Sequence, residues 1–346
     1  MRVRVRKNVY TGGRQMARYI VKRVIYMIPV LLGVSFLIFI VLYLTPGDPA
    51  DIILSPQATQ EVRYAWREQY GLNDPFFTQF FNFIAGIVLR WDWGTSLENG
   101  QSVTAALMLR FPNTFLLACL TTVIAVIIGI LFGVITAKHQ NSWLDTTFSV
   151  VGMVGVSMPQ FWLGLLLIIW FALNLKWFPI SGFSGPKYWV LPSVALGVQN
   201  AAILMRFTRT SVLDCIRQDY VRTARAKGQV ESIITWHHIV RNALIPIITT
   251  VGGLFGGALG SAMVLEQIFS INGLGRLMVD AIAMRNYPFI RASVLLLAIS
   301  YSVIYLILDL LYAAVDPRIK ADFKLSTFPM IKQLRGHFSR KVKDHV

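Results

Sequence analysis

Few residues of this chain have the type and spacing that catalysis requires. His237 and His238 are adjacent, so a helix points them to different sides, whereas a zinc pair of the HExxH kind needs a separation of four. His139, His337 and His345 stand apart in flanking loops and tails, and no metal is assigned to any of the five histidines. Ser149, Ser157 and Ser261 have no histidine at their expected depth, which leaves no paired nucleophile and base. No G-x-x-x-x-G-K-[ST] loop occurs, so the chain does not itself cradle the phosphates of ATP. The polar residues gather instead in one basic island between two strongly apolar runs: Asp219-Tyr220-Val221-Arg222-Thr223-Ala224-Arg225-Ala226-Lys227-Gly228, then His237-His238, then Arg241-Asn242-Ala243-Leu244-Ile245-Pro246. Asp219 to Lys227 reads as a helix with strong formers at Ala224 and Ala226, stopped by Gly228 at positive φ. The following segment should turn back as a second helix on the membrane face, with Pro246 marking re-entry, because a first helical turn tolerates proline. No covalent chemistry is expected of such an element.

The elements that must position this island follow from composition. Of 346 residues 55% are apolar and only 14% charged, and the mean hydropathy is +0.57; this is an integral membrane protein. A net charge of +16 could suit nucleic acid, but the charges sort by membrane side rather than onto one base-reading face, which excludes that partner. Apolar runs long enough to cross about 30 Å of hydrocarbon fall near 24–44, 113–137, 147–173, 191–211, 246–266 and 291–315. The first is longer than the apolar core of a signal peptide and has no small-residue cleavage site, so it stays as a helix. The pieces assigned to the cytoplasm (1–23, 138–146, 206–245, 316–346) hold 24 of the 33 Lys and Arg residues against seven acids, while the outer pieces hold nine of each. By the positive-inside rule both termini are cytoplasmic. Cys119 and Cys215 fall at different depths and read as free thiols. Lys332, Arg335, Arg340, Lys341 and Lys343 make a solvated tail that can rest on anionic headgroups.

Between the first two crossings, Phe76, Phe77, Phe80, Phe81, Ile84, Ile87 and Val88 recur at helical spacing and meet Trp91 and Trp93. An amphipathic helix is expected there, lying on the outer leaflet or contacting a delivery protein. Gly129 and Gly133 have the spacing that lets helix backbones approach closely. Gly252, Gly253, Gly256, Gly257 and Gly260 fall on more than one face of the fifth crossing, which suits packing on one side and a path on the other. Pro159, in Ser157-Met158-Pro159-Gln160, must kink or break the third crossing. Glu266, at a probable boundary, and Asp309, near the inner end of the last crossing, are the membrane carboxylates; each is expected in an ion pair rather than a proton relay.

The run Arg222-Thr223-Ala224-Arg225-Ala226-Lys227-Gly228 followed by Arg241-Asn242-Ala243-Leu244-Ile245-Pro246 resembles the "EAA" loop of permease subunits in ABC importers, in the form found in B-type subunits of dipeptide, oligopeptide and nickel permeases. Arg222 and Thr223 stand where the generic loop has Glu and Ala, and Arg241 where it has proline; these departures are those of the B-type branch. Pro46-Gly47-Asp48-Pro49-Ala50, Tyr70-Gly71-Leu72, Asp92-Trp93-Gly94-Thr95-Ser96-Leu97 and Asp309-Leu310-Leu311-Tyr312 through Asp316-Pro317-Arg318 extend the likeness over about residues 18–322.

The resemblance implies an all-α, six-helix type I ABC importer permease in the plasma (inner) membrane. Its parts are a basic arm 1–23, a first helix 24–44, an outer amphipathic region 45–112, a core 113–316 with a coupling loop 206–245, and a tail 317–346. It implies that Tyr220 through Gly228 meet an ATPase, and that Gly253, Gly257, Glu266, Phe269, Arg276 and Asp280 line a path or gate. The implied partners are a second permease, two ABC ATPases that hold the ATP and magnesium, an external binding protein and a peptide cargo, with no cofactor on this chain. A nickel-chelate importer is the alternative within the branch. An ion-driven secondary transporter would want several buried carboxylates and an internal repeat, and neither is evident.

Overall fold

The computed structural model describes residues 12–315, with side chains from 19 to 312. The arm residues before 12, the tail from 316 and their charges lie outside the described residues. Apart from one isolated bridge between Thr95 and Ser102, the described regular structure is helical. In order these helices are α1 (Gly12–Leu44), α2 (Pro49–Ile53), α3 (Gln60–Gln69), α4 (Phe76–Arg90), α5 (Val103–Lys138), α6 (Trp143–Ser157), α7 (Gln160–Leu167, continued by a π-helical turn Ile168–Asn174), α8 (Pro186–Ile216), α9 (Asp219–Ala226), α10 (Glu231–Ile233, continued by a π-helical turn Ile234–Val240), α11 (Arg241–Ile268), α12 (Leu274–Ala283) and α13 (Tyr287–Val315). Among the described residues five stretches are long and apolar enough to cross a membrane, and the bent pair α6–α7 adds a sixth where the two halves are taken as one broken span. The fold is the expected all-α one.

The chain separates into two units, residues 28–304 and the two ends, 1–27 with 305–346. In the terminal unit Arg23 Nε lies 2.8 Å from Asp309 Oδ2 and also donates to the Tyr19 hydroxyl at 3.1 Å. Asp309 therefore has the basic neighbour expected of it.

In the larger unit α5, which spans about 54 Å at 1.5 Å per residue, carries three apolar clusters along its length. Val103, Ala106 and Leu107 pack with Leu274, Leu277, Phe289 and Leu295. Leu117 and Ala118 pack with Ala195, Leu196, Leu259 and Phe269. Val134 and Ala137 pack with Leu204, Val212 and Ile239. The close partner of α5 is α8. A side chain on Gly133 would stand 2.5 Å from Thr208 Cβ and 2.8 Å from the Met205 carbonyl, and one on Gly129 would stand 2.8 Å from Leu204 Cβ. The small-residue spacing read from sequence is thus a backbone contact.

Crossing boundaries shift at the prolines. The second crossing begins ten residues before 113 because Pro112 sits inside α5, and Pro246 sits inside α11. Pro159 does break its helix: α6 and α7 meet at 100°. A proline supplies no N–H to the turn before it, and the Val156 carbonyl left at the bend accepts from Gln199 Nε2 on α8 at 3.2 Å. Gln160 Nε2 in turn donates to Gln199 Oε1 at 2.8 Å. One carbonyl opened by the bend is thus satisfied by protein.

The amphipathic helix is α4. Its Phe76 and Phe80 rings meet Phe36 and Phe39 of α1 edge to face, with centroids 5.4–6.2 Å apart, while Phe77 and Phe81 face outward. The loop after it is anchored by Asn286, which donates to Ser96 Oγ at 2.8 Å and accepts from the Leu97 amide at 3.2 Å.

The charge asymmetry predicts the orientation of this bundle. With Cys119 and Cys215 replaced by alanine, cysteines at Gln101 and Gly185 should react with an impermeant thiol reagent added to sealed cells, and one at Gln229 should not. Labelling at Gln229 would invert the topology.

Candidate functional site

α9 forms where the sequence places a helix, and its end is set by glycine. Asp219 lies in the first turn, where a carboxylate favours the helix dipole. At the other end Gly228 has φ +72°; its amide donates to the Arg225 carbonyl at 2.9 Å, and the Gln229 amide donates to the Ala224 carbonyl at 3.3 Å. This is the Schellman pattern, which needs a left-handed residue just past the helix. Beyond the turn, Arg225 Nε donates to Glu231 Oε1 at 2.6 Å, closing the loop with an ion pair. A Cβ on Gly228 would meet nothing within 4 Å, so the demand there is purely conformational. Gly228→Val should cost about 1–2 kcal/mol and lower substrate-stimulated ATP hydrolysis of the assembled complex, while Gly228→Asn should stay near wild type. Equal activity in both variants would remove the turn from the coupling element.

The face that α9 buries differs from expectation. Val221 and Ala224, one turn apart, are buried against Ile234, Ile239, Val240, Ala243 and Ile247 together with Val134 and Ala137 of α5 and Leu204 and Val212 of α8. Ala224, assigned by the resemblance to the ATPase contact along with Val221, is turned into the chain's own core. The outward residues are Tyr220, Arg222, Thr223, Arg225, Ala226 and Lys227. The Tyr220 phenol is pushed up to about 12 by burial and by its hydrogen bond with Cys215, so it stays a neutral donor at any physiological pH.

A second departure concerns the return segment. No separate helix lies on the membrane face before Pro246; Glu231 to Ile268 is one continuous helical stretch, with a π-helical turn at Ile234–Val240. α9 therefore packs against the foot of a spanning helix. The His237 and His238 rings do not diverge but meet edge to face, centroids 5.3 Å apart, and His238 Nε2 sits 2.8 Å from Gln229 Oε1.

The residues assigned to a path or gate separate into two groups. On α11 an exposed stripe runs through Thr249, Gly257, Gly260 and Val264, with Gly253 half-buried in the same row, while Gly252 and Gly256 are buried behind it; a side chain on Gly256 would collide with the Tyr301 ring. The two-faced reading of this glycine-rich helix fits that placement. Glu266, Phe269, Arg276 and Asp280 gather instead where α11 meets α12. Glu266 is fully buried and, against expectation, forms no ion pair with any described residue: Thr114 Oγ1 donates to it at 2.5 Å and the Arg276 amide at 2.9 Å. It serves as a remote cap on the α12 N-terminus, and a side chain on Gly273 would strike its carboxylate. Phe269 is also buried, in the central cluster. Arg276 is half-buried and Asp280 exposed, the latter accepting from Gln267 Nε2 at 3.3 Å.

Sequence reasoning missed one pair that braces the site. Arg209 of α8 grips Asp145 of α6 through two hydrogen bonds of 2.8 and 2.7 Å, and Asp145 is buried. The available signal was Asp145 as the single acid of the short piece 138–146, three residues after the helix-capping Ser142.

Residues 129–321 match the family described as "Binding-protein-dependent transport system inner membrane component", and residues 16–118 match the N-terminal region described for the same membrane components. The chain is 41% identical over 305 residues to a glutathione transport system permease protein, GsiC, of Escherichia coli, covering 88% of this chain and 99% of that one. It is 40% identical over 316 residues to an oligopeptide transport system permease protein, AppB, of Bacillus subtilis, covering 88% and 100%. Among solved structures, an inward-facing form of the MetNI methionine ABC transporter superposes with a TM-score of 0.52 at 18% identity, covering 61% of this chain and 97% of that one; at that identity the likeness is one of fold.

Proposed function

The chain belongs to the family of binding-protein-dependent transport system inner membrane components, and from that premise we propose that it is the permease subunit of an ATP-driven importer of short peptides, with α9 as its contact to the ATPases. The observation that carries the reading is the outward basic ridge of α9, held on the ends of α5, α8 and α11 by Val221 and Ala224. A helix docked in this way is stiff enough to transmit a push, and its exposed Arg222 and Lys227 offer charge to an acidic groove. The energy comes from partner subunits, which bind ATP and magnesium; this chain contributes motion and a path. Two ATPases, a second permease and an external binding protein complete the importer in the plasma membrane. The second permease would close over the open stripe of α11, where Gly257 and Gly260 leave backbone rather than bulky side chains facing the path.

Peptide cargo is supported by the names of the relatives, one a glutathione and one an oligopeptide permease. A strain lacking this chain should lose growth on short peptides as its amino-acid source, and the reconstituted complex should take up labelled di- and tripeptides only with ATP and binding protein present. Normal peptide growth with lost nickel uptake would move the cargo to a nickel chelate, and uphill uptake by this chain alone under an ion gradient would overturn the ATP-driven reading.

A further inference from the structure

A cavity of about 550 Å³ lies at the end of α5 remote from α9, walled by Phe39 and Tyr43 of α1, Phe76 and Gln79 of α4, and Tyr287 and Arg291 of α13. Arg291 is its unusual member. The guanidinium carbon stands 4.5 Å from the Phe39 ring centre and 5.8 Å from that of Phe83, and these two rings, with centroids 5.4 Å apart, lie on one side of it, where they attract a cation but accept no in-plane hydrogen bond. Its Nε donates to the Tyr287 carbonyl at 3.3 Å. Among the described residues no carboxylate pairs with it; of the two that line the same cavity, Asp48 is engaged by Arg67 and Asp74 forms no ion pair with Arg291. Arg67 adds a second unmet donor, because its Nε is buried without a hydrogen-bond partner. A half-buried guanidinium that lines an open cavity without a carboxylate partner suits an oxyanion.

The walls indicate which oxyanion. Phe39, Tyr43, Phe76 and Tyr287 give the mixed lining an aromatic side, and the cavity borders α4, whose Phe77 and Phe81 are 61% and 64% exposed on a helix expected to lie along the leaflet. We propose that this cavity binds a glycerophospholipid, its phosphate on Arg291 and its acyl chains passing over Tyr43 and the outward face of α4. The site is distinct from the cargo path and does not depend on what the cargo is.

The assembled complex, washed free of excess lipid and titrated with phosphatidylglycerol, tests this by native mass spectrometry. One tightly held lipid is expected, with Arg291→Met weakening it about tenfold or more. Phe77→Ser, at an exposed position that leaves the core intact, should weaken it several-fold, which keeps the proposal testable where Arg291→Met impairs assembly. Unchanged affinity in either variant would overturn it. Displacement of the lipid by inorganic phosphate, or by a dipeptide, at comparable affinity would also overturn it, assigning the arginine to a free anion or to a peptide carboxylate.

Discussion

Ala224→Glu should abolish transport and release the ATPases from the complex. Ala224 is 6% exposed, wedged with Val221 against the ends of three long helices. A glutamate there adds bulk to a filled site and a charge without a partner, at about 3 kcal/mol or more. The α9 helix must then lift from its seat. Arg222→Glu is the informative companion, since Arg222 faces outward and its replacement leaves the packing untouched. Reversal of that charge should leave membrane level and helix content normal while ATP hydrolysis ceases to respond to loaded binding protein. Full stimulation in Arg222→Glu would show that the ridge meets no ATPase, and wild-type transport in Ala224→Glu would show that α9 is not seated as described.

Arg209→Met should be the most destabilising single change at the bracing pair. It leaves the buried Asp145 carboxylate without its cation, and the Ser149 hydroxyl at 3.5 Å and the Asn141 amide at 3.0 Å do not replace a charge. Breaking such a pair costs about 3–5 kcal/mol, and the lower end applies because the Arg209 side chain keeps 28% exposure. The melting temperature of the purified complex should fall clearly, and adding Asp145→Asn should recover most of the loss. A double variant no better than Arg209→Met would mean that the pair does not act through its charge.

The crossings and α9 were legible because each has a local cause. An apolar run must be buried in lipid, and a basic run ended by glycine needs no distant partner to form a short helix. Facing was harder. Val221 and Ala224 lie three apart, the spacing of one helical face, but alanine shows no strong preference between a protein partner and the chain's own core. The matching surface is supplied by Val134, Leu204 and Ile239, far away in sequence. Pro246 marks re-entry in the sequence and Pro112 immediately precedes the second apolar run, yet both lie inside longer helices, where neighbouring helices compensate for the missing N–H. Glu266 was placed at a boundary because carboxylates are rare in membranes. Its true setting depends on Thr114, 152 residues away, and on the amide end of a helix that follows it.

The bend at Pro159 bears on how the chain enters the bilayer during synthesis. α6 and α7 alone would bring the Val156 carbonyl into hydrocarbon without a donor, at a cost of several kcal/mol. The donor that resolves this is Gln199, 43 residues downstream. The pair is therefore expected to stay with the insertion machinery until α8 has emerged from the ribosome and supplied that donor. A stalled nascent chain ending before Gln199 should keep α6 and α7 crosslinkable to the insertion machinery, and one that has exposed α8 should not.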